Sequence, residues 1–226
     1  MRDAIVIPIN EKESLVISAD NSGGIGMKEQ DVVKVAYETV GYFSFRVAVM
    51  ECVAAKARPL AVVIQNFCGD KEWEELVKGV QKGLVELGLE GVQITGSTES
   101  NFPLVQSAVG LNVVGLKSLE EKKVDFTELA VIGLPLVGNE VIECAEEIAP
   151  LSLFYQVSLL EDVLVWPVGS KGVQEEINRV MPGETFSCNI DLHKSGGPAT
   201  SFLVGFRPEK ENELKQLAGR YFHSLK

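Results

Sequence analysis

The residues best suited to bind a ligand or take part in a reaction lie within residues 15–28, LVISADNSGGIGMK. Its polar and small positions are, in order, Asp20, Asn21, Ser22, Gly23, Gly24, Gly26 and Lys28. The apolar start predicts a buried strand over residues 14–18, with the acid at its tip. Glycines let backbone N–H groups approach an anion closely, and a strand-end carboxylate can hold Mg²⁺. The pattern predicts a phosphate and metal cradle, with a plain glycine-rich surface turn as an equal alternative.

A second candidate is Glu51, on a helix predicted over residues 39–56. Its neighbours one turn away are Val47, Ala48, Ala54 and Ala55, and no lysine or arginine stands three or four residues from it. A carboxylate on a side of the helix lined by small apolar residues is costly to bury without a partner, and a metal ion is one such partner. Simple exposure at the edge of the helix is the alternative.

A third candidate is the polar stretch TGSTESN at residues 95–101, after a strand predicted over residues 92–96. It contains Ser97, Thr98 and Glu99. Hydroxyls and backbone amides at strand ends often contact ligands, although a polar turn has the same composition. The chain has neither the GxxxxGK[ST] pattern nor glycines in dinucleotide-binding spacing. Nucleotide binding would therefore use neither of those loops.

Strands and helices are mixed along the chain without strict alternation. Apolar runs predict strands at residues 4–9, 14–18, 60–64, 92–96, 105–116, 129–134, 185–192 and 201–206, and helical spacing predicts helices at residues 39–56, 71–87, 139–148 and 173–181 and beyond Pro208. The order predicts an α+β or mixed α/β fold. A charged stretch at residues 117–123, KSLEEKK, divides it into halves of residues 1–122 and 123–226.

The amino-acid composition limits the kinds of binding partner that we expect for this protein. The chain has 226 residues, is 46% hydrophobic and carries a formal net charge of −11. These values are typical of a globular protein, and they argue against nucleic acid as the main partner because phosphate backbones require a basic face. The four cysteines form no CxxC pattern, and no apolar run approaches a membrane span. We therefore expect a cytoplasmic protein without membrane association.

Taken together, these segments resemble the AIR synthase-related ATP-binding superfamily. The segments that carry the resemblance are Asp20 with GIGMK, MECVAAKARP at residues 50–59, TGSTE at residues 95–99, GLPLVGN at residues 133–139 and SGGP at residues 195–198. The resemblance implies an AIR synthase-like N-terminal domain that binds ATP and Mg²⁺, followed by a reduced C-terminal domain. Ser97 stands where the family has an acid, so either Glu99, two residues on, replaces it or no residue does.

Within the superfamily, the segments SADNSGGIG, VGYFSFRVAVME, ITGSTESNFP, VGSKG and KSGGPAT are most similar to the α-ribazole kinases of cobalamin biosynthesis. That resemblance implies phosphoryl transfer from ATP to the 5′-hydroxyl of α-ribazole and a homodimer built through N-terminal sheets. Asp20, Glu51 and Lys28 would be catalytic, with Mg²⁺ held by Asp20, Glu51 and Glu99. The ATP phosphates would lie against Gly23, Gly24, Gly26, Ser97 and Thr98.

Substrate contacts are assigned from position alone, to Arg46, Asn66, Ser195, Gly196 and Gly197. Two other functions stay open at this point. One is a different ATP-dependent kinase or synthase of the superfamily, similar to thiamine-phosphate kinases. The other is a non-catalytic, nucleotide-binding regulatory dimer, which the serine at position 97 favours.

Overall fold

The computed structural model describes residues 4–118 and 124–226. The chain divides into two compact units, Met1–Glu121 and Lys122–Lys226. Each unit combines a sheet with helices, which confirms the predicted mixed α+β class. Among the helices of the described ranges, none is long and apolar enough to cross a membrane.

A five-stranded sheet forms the centre of the N-terminal unit. Its elements in chain order are β1 (Ala4–Pro8), β2 (Glu13–Gly23), β3 (Ile25–Gly26), β4 (Val33–Lys34), α1 (Tyr37–Ala54), β5 (Arg58–Asn66), α2 (Trp73–Leu87), β6 (Gln93–Thr98) and β7 (Ala108–Ser118). The sheet order is β1-β2-β7-β5-β6. Within this sheet β5 and β6 are parallel and the other neighbouring strands are antiparallel, while β3 and β4 form a separate parallel pair.

Helix α1 runs antiparallel to β2 across one face of this sheet. The hydroxyl of Ser18 in β2 donates to the carbonyl of Ala48 at 2.7 Å. Near the start of the helix, Tyr37 shares a 2.9 Å hydrogen bond with Ser107, just before β7. Near its end, Cys52 packs on Gly115, which pairs with Val16 of β2. The burial of alternate β2 residues follows from this cover, because successive side chains point to opposite faces.

Two glycines set how closely α1 and α2 approach. A Cβ atom on Gly41 would lie 2.3 Å from the carbonyl oxygen of Leu76, and one on Gly79 would lie 2.1 Å from that of Glu38. Both contacts are with backbone, which cannot turn aside as a flexible side chain can. The helix pair therefore requires glycine at these crossings.

The C-terminal unit contains a four-stranded antiparallel sheet. Its elements are β8 (Glu128–Ile132), α3 (Glu140–Glu143), α4 (Leu151–Ser158), β9 (Leu164–Pro167), α5 (Gly172–Val180), β10 (Phe202–Phe206), α6 (Glu211–Ala218) and β11 (Phe222–Ser224), and the sheet order is β11-β8-β10-β9. Phe154 of α4 meets Phe202 of β10 edge to face at 5.0 Å. Leu203 belongs to a second cluster with Val173 and Ile177 of α5.

Three predicted strands differ from the structure, and the first two differences lie at the site. Strand β2 continues past Asp20 to Gly23, because its ladder with β7 is unbroken as far as the Gly23–Ala108 pair. Strand β6 includes Ser97 and Thr98, which pair with Gln65 and Asn66 of β5. Residues 185–192, predicted as a strand, contain none.

We expect Gly79→Ala to lower the free energy of unfolding by about 2 kcal/mol, because the added methyl group forces two packed backbones apart. Chemical denaturation measures the change. Gln81→Ala, an exposed position on the same helix, should stay within about 0.5 kcal/mol of the parent. Equal stability of Gly79→Ala and the parent would contradict the close helix contact.

Candidate functional site

The glycine loop, residues 23–28, turns the chain away from the end of β2. Gly24 has a φ of +70° and donates its N–H to the carbonyl of Ser107 at 2.8 Å. Gly26 has a φ of +151°, and a Cβ there would lie 2.5 Å from the Ser107 hydroxyl and 2.8 Å from the Tyr37 ring. Glycine is required at Gly26 by both backbone conformation and space. The loop is therefore a tightly specified turn pressed against the start of β7.

A buried carboxylate, Asp31, fastens this loop. One oxygen accepts from the Ser107 N–H at 2.7 Å, and the other accepts from the Ser107 hydroxyl at 2.7 Å and the Lys28 N–H at 2.8 Å. Burial acts to raise the pKa of Asp31, but the hydrogen bonds from Ser107 and Lys28 outweigh it and the pKa is lowered. The residues next to Asp31 in sequence do not indicate this role, because only its contact with a residue 76 positions away reveals it.

The Lys28 side chain reaches toward the end of β5. Its ammonium group donates to the carbonyl of Phe67 at 3.0 Å. The ammonium group of Lys34 contacts the carbonyl of Lys28 and donates to that of Glu29 at 3.0 Å. Two cations thus lie beside the glycine loop in a protein of strongly negative net charge. They can attract an anionic ligand to this position.

The ends of β5 and β6 complete the same edge of the sheet. Strands β2 and β5 both run antiparallel to β7, and β6 runs parallel to β5, so their carboxyl ends coincide. Ser97 is exposed there, and Glu99 follows the strand with its N–H bonded to the carbonyl of Asn66. The structure therefore brings together Gly23, Gly24, Gly26, Lys28, Ser97, Thr98 and Glu99 at one edge.

Asn66 has an internal role at this edge. Its amide group donates to the carbonyl of Gly69 at 2.8 Å and to the hydroxyl of Thr98 at 3.1 Å. Its carbonyl oxygen accepts from the Cys68 N–H at 2.8 Å. These bonds join the loop after β5 to β6, and the residue is only 1% exposed. The structure thus gives no support to the predicted substrate contact of Asn66.

The carboxylates predicted to share Mg²⁺ do not lie together. Measured from the Ser18–Ala48 contact, Asp20 is two strand residues, about 7 Å, toward the glycine loop. Glu51 is buried about 5 Å in the opposite direction along antiparallel α1. Ligands of one Mg²⁺ lie about 2 Å from the ion. Within residues 4–118 and 124–226, no three acidic, histidine or cysteine side chains are grouped to hold a metal.

Arg46, another predicted substrate contact, is fully buried. It interacts with Tyr42 of its own helix and is attracted by Glu86 of α2. Tyr42 donates to Glu86 at 2.7 Å. Burial raises the pKa of Tyr42 to about 12, although the Arg46 guanidinium opposes the shift. These residues join α1 to α2, so the structure gives no support to a substrate contact at Arg46.

In the C-terminal unit, Ser195, Gly196 and Gly197 lie in the segment before β10. The Ser195 hydroxyl accepts from the Gly197 N–H at 3.1 Å, and the Gly196 N–H donates to Gly169 at 3.0 Å. A Cβ on Gly197 would lie 2.4 Å from the carbonyl oxygen of Leu136. These contacts connect this segment to the loops that follow β8 and β9. The predicted role of the three residues in substrate binding stays a prediction.

We expect Asp31→Asn to lower the free energy of unfolding by about 2 kcal/mol at neutral pH, because an amide cannot accept all three hydrogen bonds. The lowered pKa of Asp31 stabilises the fold above its unfolded value of about 3.9, and this contribution is lost as pH falls through the folded value. The difference between variant and parent should therefore shrink below about pH 4.

Denaturation curves measured from pH 3 to pH 7 test this dependence. Asp70→Asn, which changes an aspartate at the surface after β5, is the matched control and should leave stability nearly unchanged. A constant difference between Asp31→Asn and the parent at every pH would contradict a role for the charged carboxylate.

Comparison with known proteins adds a family and a fold. The family model described as AIR synthase related protein, N-terminal domain, matches residues 1–116. No curated protein sequence matches the chain. The chain is similar to the crystal structure of tt0281 from Thermus thermophilus, with a TM-score of 0.65, 16% identity, and coverage of 99% of this chain and 85% of that one.

Two further structures share the fold. Thiamine-monophosphate kinase from Stenotrophomonas maltophilia has a TM-score of 0.61 at 10% identity, with 99% of this chain and 88% of that chain covered. T. maritima PurL complexed with AMPPCP has a TM-score of 0.60 at 12% identity, with 97% of this chain covered but only 41% of PurL. At these identities the likeness concerns architecture alone.

Proposed function

We propose a function from the premise that this chain belongs to the AIR synthase related protein family, whose N-terminal domain model covers residues 1–116. The chain is an ATP-dependent enzyme that binds the nucleotide phosphates at the glycine loop. The observation that carries this proposal is the convergence of residues 23–28, the Lys28 ammonium group and the polar end of β6 at one edge of the sheet.

The edge has the groups that phosphoryl transfer requires. Such transfer depends on positioning and charge neutralisation more than on a strong base. Backbone N–H groups of Gly23 and Gly26 would face the phosphates, with Lys28 supplying positive charge. The Gly24 N–H is already bonded to the carbonyl of Ser107, so Gly24 would contribute only the close approach that a residue without a side chain allows. Ser97, exposed in β6, and Thr98 beside it would supply hydroxyl groups. The Asp31 anchor keeps the loop in place without itself touching the nucleotide.

The carboxylates near the strand ends also fit Mg²⁺, although fewer of them can hold one ion than the sequence predicted. Mg²⁺ accompanying a nucleotide is usually held by one or two carboxylates, with phosphates and water completing its shell. Glu99 follows β6, and Asp20 lies in β2, three strand spacings or about 14 Å away across the sheet. Each is therefore proposed as a ligand of a separate Mg²⁺ ion, and Glu51 is not proposed to share the ion of Asp20. When bound, Mg²⁺ would neutralise phosphate charge.

The proposed acceptor is α-ribazole, phosphorylated at its 5′-hydroxyl in cobalamin lower-ligand salvage. Support comes from the sequence resemblance at SADNSGGIG, ITGSTESNFP and KSGGPAT. Another kinase or synthase activity of the same family is the nearest alternative. A non-catalytic nucleotide-binding dimer is the second candidate, favoured by Ser97 and by the dispersed carboxylates of the described residues.

The resemblance also supports a homodimer formed through the N-terminal sheet. The face of the sheet opposite α1 carries Ile5 and Ile7 of β1, paired with Ile17 and Leu15 of β2. Ile5 is 63% exposed and Ile7 is 43% exposed. An apolar face of this extent fits association with a second copy.

Sedimentation of the parent and of Ile7→Glu tests the homodimer. We expect the parent to sediment at twice the 24.6 kDa chain mass and the variant to dissociate, because a charge would be buried in the contact. Ile142→Glu changes an exposed isoleucine of the C-terminal unit and should leave the dimer intact. A monomeric parent would refute the dimer.

Release of ADP from Mg-ATP, measured with and without α-ribazole, tests the reaction. We expect release that depends on α-ribazole, and we expect Glu99→Gln and Asp20→Asn to weaken Mg-ATP binding by about tenfold through loss of a metal ligand. Glu90→Gln, an exposed acid beyond α2, should behave like the parent.

Three outcomes separate the candidates. Turnover with thiamine monophosphate but none with α-ribazole would assign a different kinase activity. ATP binding without turnover on any alcohol would favour the regulatory dimer. Parent-like Mg-ATP binding by both folded acid variants would remove the metal assignment.

A further inference from the structure

Exposed apolar side chains cluster around the glycine loop, on three loops at the carboxyl edge of the N-terminal sheet. We call this set the apolar rim. Its members are Met27 (61% exposed), Val32 (82%), Phe67 (39%), Phe102 (73%), Leu104 (40%) and Val105 (62%). Apolar residues exposed singly need no explanation, but a concentration at the ends of strands indicates a binding surface.

Hydrogen bonds hold the three loops in a fixed relation. The Gln30 N–H donates to the carbonyl of Val105 at 3.3 Å, and the Gln106 side chain donates to the carbonyl of Gln30 at 2.8 Å. The Lys28 ammonium group bonds to the carbonyl of Phe67, whose N–H donates to Ala108 at 3.0 Å. Val32 lies against Gly24, 3.8 Å from where a Cβ would stand. These contacts connect the glycine loop to the loop after β5 and to the segment before β7, on which the rim residues lie.

The chemistry of the rim selects among ring ligands. Its six side chains offer two aromatic rings, a thioether and three aliphatic groups, with no hydrogen-bonding group to read a polar ring edge. Adenine has donors and acceptors around its edge that such a surface would leave unsatisfied. A planar ring poor in hydrogen-bonding groups would be bound well by stacking and burial. Lys28 beside it complements the phosphate that such a ligand carries once its 5′-hydroxyl has been phosphorylated.

We propose that the apolar rim binds the apolar heteroaromatic ring of the acceptor nucleoside, with its ribose directed toward the glycine loop. This inference rests on the proposed function and assigns residues to acceptor recognition. It places both ends of the acceptor at one edge: the ring on Phe67, Phe102 and Val105, and the 5′-oxygen beside Lys28. The rim is thus the specificity surface for the ring, distinct from the groups that hold ATP.

Calorimetry with α-ribazole, with free 5,6-dimethylbenzimidazole and with Mg-ATP tests the rim. We expect Phe102→Ala to weaken binding of both benzimidazole compounds by about tenfold, and Phe102→Leu to weaken it less, because part of the apolar contact is retained. Binding of Mg-ATP should be unchanged. In steady-state assays the KM for α-ribazole should rise, with the KM for ATP unaffected.

Val85→Ala is the matched control, since Val85 is 80% exposed on α2, outside the three loops of the rim. It should bind every ligand like the parent. Because Phe102 is exposed, its replacement should leave thermal unfolding unchanged, and a second rim variant, Val105→Ser, repeats the test at an independent position.

The possible results distinguish this inference from the proposed function. If α-ribazole supports no ADP release, yet benzimidazole compounds bind and Phe102→Ala weakens them, the rim assignment stands and the kinase assignment fails. If the parent binds no benzimidazole compound, or both rim variants bind like the parent, the rim assignment is wrong. If the variants change only the sedimentation of the protein, a second copy covers the rim and the assignment is also wrong.

Discussion

The attachment of the glycine loop to the start of β7 is the constraint on which the N-terminal edge depends. Asp31 receives three hydrogen bonds from Ser107 and Lys28, and Ser107 is bonded in turn to Tyr37 at the start of α1. Loop, strand and helix therefore meet at one buried carboxylate. These three hydrogen bonds within the protein hold the loop more firmly than hydrogen bonds to water would. The positions of Gly24, Gly26 and the Lys28 backbone follow from it.

The sheet and helices supply the frame behind this anchor. Parallel directions of β2, β5 and β6 bring three strand ends to one edge, and the glycine contacts between α1 and α2 hold the helix pair over one face. Positive charge from Lys28 and Lys34 stands beside exposed apolar side chains there. The combination suits a ligand that joins phosphate to a neutral ring, and it connects the proposed nucleotide site with the proposed acceptor site.

The sequence was informative about local structure and less so about what meets across the fold. Helical spacing located α1 and α2, and the glycines with Lys28 marked the loop that the structure places at the strand ends. Strand ends were misplaced at Asp20 and Ser97 because ladder pairing with β7 and β5 extends strands through polar and small residues that have low strand propensity. The burial of Arg46 could not be predicted from its own segment, because it interacts not only with Tyr42 but also with Glu86 of another helix.

The carboxylates show the same limit. Asp20 and Glu51 were both predicted to hold Mg²⁺, but antiparallel packing of α1 on β2 displaces them in opposite directions from the Ser18–Ala48 contact. No property of either segment alone indicates that separation. Asp31 illustrates the converse, because a residue of ordinary sequence context becomes the anchor through one long-range partner.

Hydrogen–deuterium exchange with and without a non-hydrolysable Mg-ATP analogue tests the central claim most directly, which is that the nucleotide binds at the glycine loop. Slower exchange is expected in peptides covering residues 20–34 and 95–107. The exchange of a peptide covering residues 85–92, which includes the end of α2, should not change. Protection confined to other parts of the chain, or none at saturating nucleotide, would contradict the account.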